Sequence, residues 1–147
     1  MIDGVTVARQ AREWLGTPYG HQQRMRGVLV DCAGLVIGVA RELGLIEPTF
    51  DITAYPRSPD GKSLLEHCDQ WMTRIDKNEM QPGDVIVIRW AKDPQHLGIV
   101  GNYLYGGLSM IHAYSDGSSV GGKVIEHHLG PAHLARFVAA YRMPGIR

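Results

Sequence analysis

Two residue types able to carry covalent and proton-transfer chemistry stand in suggestive contexts: Cys32 in Asp31-Cys32-Ala33-Gly34-Leu35, and the histidines of His96-Leu97-Gly98-Ile99-Val100 and Met110-Ile111-His112-Ala113. A thiolate is a strong nucleophile, and an imidazole titrates close enough to neutrality to take a thiol proton. If Cys32 opens a helix, the unpaired N–H groups and positive dipole end found there favour its thiolate. The same N–H groups can hold the oxyanion of a tetrahedral intermediate. Small residues directly after the cysteine would let a substrate approach the backbone closely. His96 follows the turn-forming Asp93-Pro94-Gln95 and is expected at a strand start, as the general base. His112, one strand later, would lie within about 5 Å on a shared face and orient the His96 ring. Nucleophile, base and orienting group together spell acyl transfer. Each residue also has a plain reading, the cysteine as a small core hydrophobe and the histidines as satisfied strand residues, and the joint pattern carries the functional one.

The elements that must position these side chains follow from apolar spacing. Val5, Ala8, Ala11 and Leu15 recur at three- and four-residue steps, which predicts a helix over 5–15 with Asp3 as its N-cap and Gly16 just past its end. Thr17-Pro18-Tyr19-Gly20 is turn chemistry, and 21–27 reads as a polar loop. Cys32, Leu35, Val36, Val39, Ala40 and Leu43 predict a second helix over 32–43, closed by Gly44. A shorter helix is expected over 63–72, and the polar stretch 47–62 before it is the one long loop, a lid or an interaction segment. After Pro82-Gly83 the period changes to that of strands, over 84–90, 96–102, 108–114, 120–126 and 136–143. Helices first and strands afterwards give an α+β fold whose helices pack on one side of a five- to six-stranded antiparallel sheet.

Composition narrows the classes. A chain of 147 residues, 44% hydrophobic, suits one domain over 1–147. Fifteen basic residues balance fifteen acidic ones, so no overall field draws the chain to nucleic acid, and no nucleic-acid partner is expected. The apolar stretches 35–40 and 85–88 fall far short of the roughly 20 residues of a membrane-spanning helix, so no membrane insertion is expected. The first residues lack the pattern of a secretory signal, which suggests cytoplasmic synthesis. Two cysteines make no disulfide framework, and no spacing offers paired zinc ligands. Cys68 falls among Leu64, Leu65 and Met72 and is assigned to the core, with its neighbour His67 pointing about 100° away on the helix. His127-His128 near His133 reads as a solvated turn rather than a metal patch, and Trp14, Trp71 and Trp90 as packing residues.

The short segments taken in order resemble those of the NlpC/P60 family of cell-wall cysteine peptidases. Asp31-Cys32-Ala33-Gly34-Leu35 is similar to the family's Asp-Cys-Ser-Gly nucleophile motif, and Gly16-Thr17-Pro18-Tyr19 to its Gly-Thr-Pro-Tyr stretch. Pro82-Gly83-Asp84-Val85, His96-Leu97-Gly98-Ile99 and Ile111-His112-Ala113 resemble the later strands. The resemblance implies a papain-like core, catalytic Cys32, His96 and His112, and hydrolysis of peptidoglycan stem peptides, commonly between D-glutamate and the diamino acid. It implies no metal or organic cofactor. Tyr19 matches a family tyrosine whose hydroxyl would serve oxyanion or substrate, with an amphipathic core edge as the alternative. Asp31 matches an acidic residue that meets the substrate amine, with helix capping as the alternative. Ala33 stands where the family has serine, which puts specificity for an N-terminal L-alanine in doubt, and 21–26 is polar and basic where relatives are glycine-rich. Some single-domain relatives of this kind belong to phage tails or tail-like particles, so phage tail proteins are expected partners, and delivery to the periplasm by a secretion machine fits as well. A structural tail module of the same fold and a Cys-His amidase or acyltransferase are the other readings.

Overall fold

A computed structural model of the chain describes residues 2–55, 62–90, 93–115 and 122–146. The first helix, α1 (Gly4–Arg12), starts where Asp3 accepts the amide of Thr6 at 2.9 Å, and it buries Val7, Ala8 and Ala11. It ends earlier than the apolar period suggests, because 13–16 turn away and Gly16 takes a left-handed φ of 85°. Trp14 then lies on the second helix, α2 (Cys32–Glu42), at Gly38, where an added Cβ would stand 2.4 Å from the indole ring. Its Nε1 donates to Glu42 at 2.7 Å, which satisfies the buried indole N–H.

Residues 32–40 of α2 are buried without interruption, so this is the central helix of the fold rather than a one-faced surface helix. Between α1 and α2 lies a small hairpin, β1 (Arg24–Met25) and β2 (Leu29–Val30), where a polar loop is expected from the sequence. The third helix, α3 (Ser63–Trp71), follows, and Cys68 is buried on it as expected. Of the long loop 47–62, residues 56–61 lie outside the described residues; the preceding part folds back, with Phe50 edge-on to Trp71 at 4.9 Å.

The sheet has six antiparallel strands: β3 (Thr73–Ile75), β4 (Val85–Trp90), β5 (Asp93–Asn102), β6 (Leu108–Tyr114), β7 (Lys123–His128) and β8 (Phe137–Arg142), in the order β3-β8-β4-β5-β6-β7. Alternation along each strand divides the core. Val85, Val87, Leu97, Ile99 and Ile111 pack under α1 and α2, while Ile86, Ile88, Val100 and Met110 form a second cluster with Leu129 and Leu134 beside the short α4 (Pro131–Leu134). Each such Val or Ile, fully withdrawn from water, contributes roughly 1.5–3 kcal/mol.

The strand expected over 120–126 runs over Lys123–His128 instead, and 116–121 lie outside the described residues. His127 and His128 are therefore strand residues, and the expected solvated turn is corrected. No helix among the described residues is long and apolar enough to cross a membrane.

Candidate active site

Cys32 is the first residue of α2, and the preceding Asp31 is its N-cap, with Oδ1 accepting the Gly34 amide at 2.7 Å. Gly34 is required by this cap. A Cβ there would stand 2.2 Å from the Gln23 carbonyl oxygen and 2.9 Å from Asp31 Oδ1, so the space expected for substrate at this glycine is taken by the chain itself.

The Asp31 carboxylate is buried and holds four donors. Gly34 and Arg24 (2.8 Å) bind Oδ1, and the Gln22 amide (2.7 Å) and the Tyr55 hydroxyl (2.7 Å) bind Oδ2. Arg24 also reaches the Tyr55 hydroxyl (2.7 Å), the Ile52 carbonyl (2.7 Å) and Asp51 (2.9 Å), so one buried ion pair ties the 20s segment and the 50s segment to the start of α2. Capping and this tie are what the contacts of Asp31 accomplish. Sequence reasoning missed Arg24 and Tyr55, since nothing in their spacing pairs them with Asp31.

The backbone N–H groups of Leu97 and Ala33 lie close enough to the Cys32 sulfur to favour its thiolate. Leu97 is the residue after His96 and stands beyond Ile99↔Ile111, the end of the β5–β6 pairing on that side, so the sulfur meets β5 where its ladder with β6 has stopped. Burial, and then the negative charge of Asp31, push the thiol up to about 12 despite those N–H groups. The expected resting thiolate is thus corrected: desolvation outweighs the helix terminus, and the sulfur rests as a neutral thiol.

His96 and His112 meet directly. His96 Nε2 lies 2.5 Å from His112 Nδ1, with the rings edge-on at 4.8 Å. Burial holds both imidazoles neutral, with His96 lowered to about 4 and His112 to about 2, and the other imidazoles of the cluster lower them further. The series continues into β7. His112 Nε2 is 2.8 Å from His127 Nε2, and His127 Nδ1 is 2.9 Å from the His128 carbonyl oxygen. His127 in turn lies over His133 with ring centres 4.3 Å apart. His127 is the side chain that sequence reasoning placed elsewhere; the signal was its side-chain parity, readable only once the β6–β7 register is known.

Tyr19 is half-buried near the helix start, bridged to Val30 and donating its amide to the Gly122 carbonyl at 3.1 Å. Ala33 is buried and floors an apolar groove of about 210 Å³. The groove runs over Ala33, Val36, Ile37 and Ala40, one face of α2, between α3 and the 45–52 segment, and Leu97 closes the end near Cys32. Among the described residues, no His, Cys, Asp and Glu side chains gather into a metal-binding group. The structure thus sets a thiol at a helix start, close to the backbone N–H of the residue that follows His96, and a neutral pair of imidazoles on β5 and β6.

Comparison with known proteins bears on the fold and the family. The fold is similar to that of an NlpC/P60 family protein from Bacillus cereus (TM-score 0.67, 18% identity, 97% of this chain and 40% of that one). It is also similar to the NlpC/p60 domain of the peptidoglycan hydrolase SagA (TM-score 0.60, 20% identity, 97% of this chain and 100% of that one). NlpC1 from Trichomonas vaginalis gives a TM-score of 0.63 at 19% identity, over 95% of this chain and 43% of that one. The chain thus spans less than half the length of the first and third of these, and the whole of the second. No curated protein matches it. The model of the NlpC/P60 family matches residues 16–139, from Gly16 of the first turn through Ala139 of β8, and the chain belongs to the NlpC/P60 family.

Proposed function

We propose that the chain is a cysteine peptidase that cleaves amide bonds in peptidoglycan stem peptides, the bond from D-glutamate to the diamino acid being the first candidate. The observation that carries this reading is Cys32 as the first residue of α2 with its sulfur near the backbone N–H of Leu97, the residue after His96, which itself pairs with His112. Membership of a family in which cysteine peptidoglycan hydrolysis is typical, and likeness in fold to a domain of the peptidoglycan hydrolase SagA, support the substrate class.

The chemistry follows from neutral partners. As the sulfur attacks the amide carbon, the thiol proton passes to His96, and the new oxyanion takes N–H groups of the helix start. The imidazolium then protonates the departing amine as the C–N bond breaks, leaving a thioester on Cys32. Water, deprotonated by His96, attacks the thioester, and the carboxylic acid and free thiol are released. His112 holds the His96 ring throughout. A phage tail or tail-like particle would carry the domain to the wall. Digestion of defined muropeptides, with products identified by mass, tests the reading: two fragments whose masses sum to the substrate plus one water are expected, and intact muropeptides would overturn it.

A second reading rests on the groove. Stem peptides are polar, whereas the groove beginning at Ala33 and Leu97 is apolar along its length, as an aliphatic acyl group would need. An N-acyl amide carrying about eight methylenes, offered beside the muropeptides, separates the two: preferential cleavage of the acyl amide favours a Cys-His amidase or acyltransferase.

A further inference from the structure

The three imidazoles on β5, β6 and β7 form a hydrogen-bonded series with one defined outer end. Nδ1 of His127 faces the His128 carbonyl at 2.9 Å, and a carbonyl oxygen only accepts, so Nδ1 of His127 carries a hydrogen. In the neutral ring its Nε2 is then an acceptor, and the hydrogen in the 2.8 Å contact belongs to His112 Nε2. His112, neutral in its buried site, must accept at Nδ1, so His96 Nε2 donates across 2.5 Å. The lone pair of His96 then falls on Nδ1, the nitrogen directed away from His112.

We infer that His127 is a positioning residue, which through His112 fixes the tautomer of His96 and keeps the Nδ1 lone pair available for the Cys32 proton. The inference rests on the Cys32–His96 chemistry proposed above and extends it to a residue outside the nucleophile, base and orienter. His127 is half-buried while His96 and His112 are buried, and its ring also packs on His133 from α4.

The test uses the full chain, its ring nitrogens read by NMR and Cys32 alkylation by iodoacetamide read by mass spectrometry, with Cys68 as internal control. His127→Gln keeps an acceptor for His112. It should retain His96 protonated on Nε2 and keep the Cys32 rate within about threefold of the wild type. His127→Phe removes the acceptor, should mix the His96 tautomers, and should slow Cys32 alkylation at least tenfold while Cys68 is unchanged. A wild-type profile in His127→Phe, or the same loss in the Gln and Phe variants, would overturn the positioning role. Because iodoacetamide needs no wall substrate, inert muropeptides would sink the substrate reading alone. A Cys32 rate indifferent to His96→Ala would sink the shared chemistry and this inference with it.

Discussion

Gly98 stands against His112 where the β5–β6 ladder opens: a Cβ built on Gly98 comes 3.3 Å from His112 Cβ and 2.5 Å from the methyl carbon of Met110. His96, two residues along β5 on the same side, reaches His112 past a position that carries no side chain. Gly98→Val fills that position. It should cost roughly 1–3 kcal/mol of stability through overpacking and lower kcat at least tenfold by separating the rings. Denaturant titration and initial rates on muropeptides check both; full activity would show that the contact does not orient the base.

The tie at the start of α2 predicts an uneven response to losing its members. Arg24→Ala leaves the buried Asp31 carboxylate without its cation and should cost about 3–5 kcal/mol. Tyr55→Phe removes one hydroxyl from Oδ2, where Gln22 still donates, and should cost about 1–2 kcal/mol. Equal effects in chemical denaturation would contradict this account of the network.

Asp31 also works against ionisation of its neighbour, since its charge is the second cause, after burial, of the raised Cys32 thiol. Asp31→Asn keeps a capping side chain and removes the charge. Thiolate absorbance titrated in a Cys68→Ala background should therefore show the Cys32 transition at lower pH than in the parent. A transition moved upward would contradict the electrostatic assignment.

Stability should fall on mild acidification. His96 binds its proton at about 4 in the folded chain and near 6.5 when unfolded, so between those values the unfolded chain takes up a proton that the folded one refuses. The contribution is whole above about pH 6.5 and lost as pH falls through about 4, to a limit of about 3 kcal/mol, with His112 acting in the same sense down to about 2. Urea midpoints measured from pH 7 to pH 4 should decline, and the decline should shrink in His96→Gln,His112→Gln. A midpoint rising on acidification would be contrary to both shifts.

What was legible in the sequence was local. Asp31 before Cys32 announces a helix start, because capping chemistry lies within three residues, and the β-rich runs holding His96 and His112 announce strands that share a face. The α+β class and five of the six antiparallel strands follow from the same periods, while β3, three residues long, is too short to show one. What stayed hidden depends on depth and register. The desolvation of Cys32 exceeds the pull of the helix terminus, and depth is a property of the packed core. His127 joins His112 only through the β6–β7 register, which no local spacing sets. Arg24 and Tyr55 converge on Asp31 across 7 and 24 residues, the first span turning through the β1–β2 hairpin and the second running through α2 and the loop after it.

The central claim is that Cys32 attacks and His96 takes its proton. The direct measurement is hydrolysis of one soluble muropeptide by the wild type, Cys32→Ala and His96→Ala, with circular dichroism confirming the fold of each. The account predicts no detectable turnover in Cys32→Ala and a loss of at least about 10³-fold in His96→Ala. Turnover by folded Cys32→Ala at the wild-type rate would contradict it.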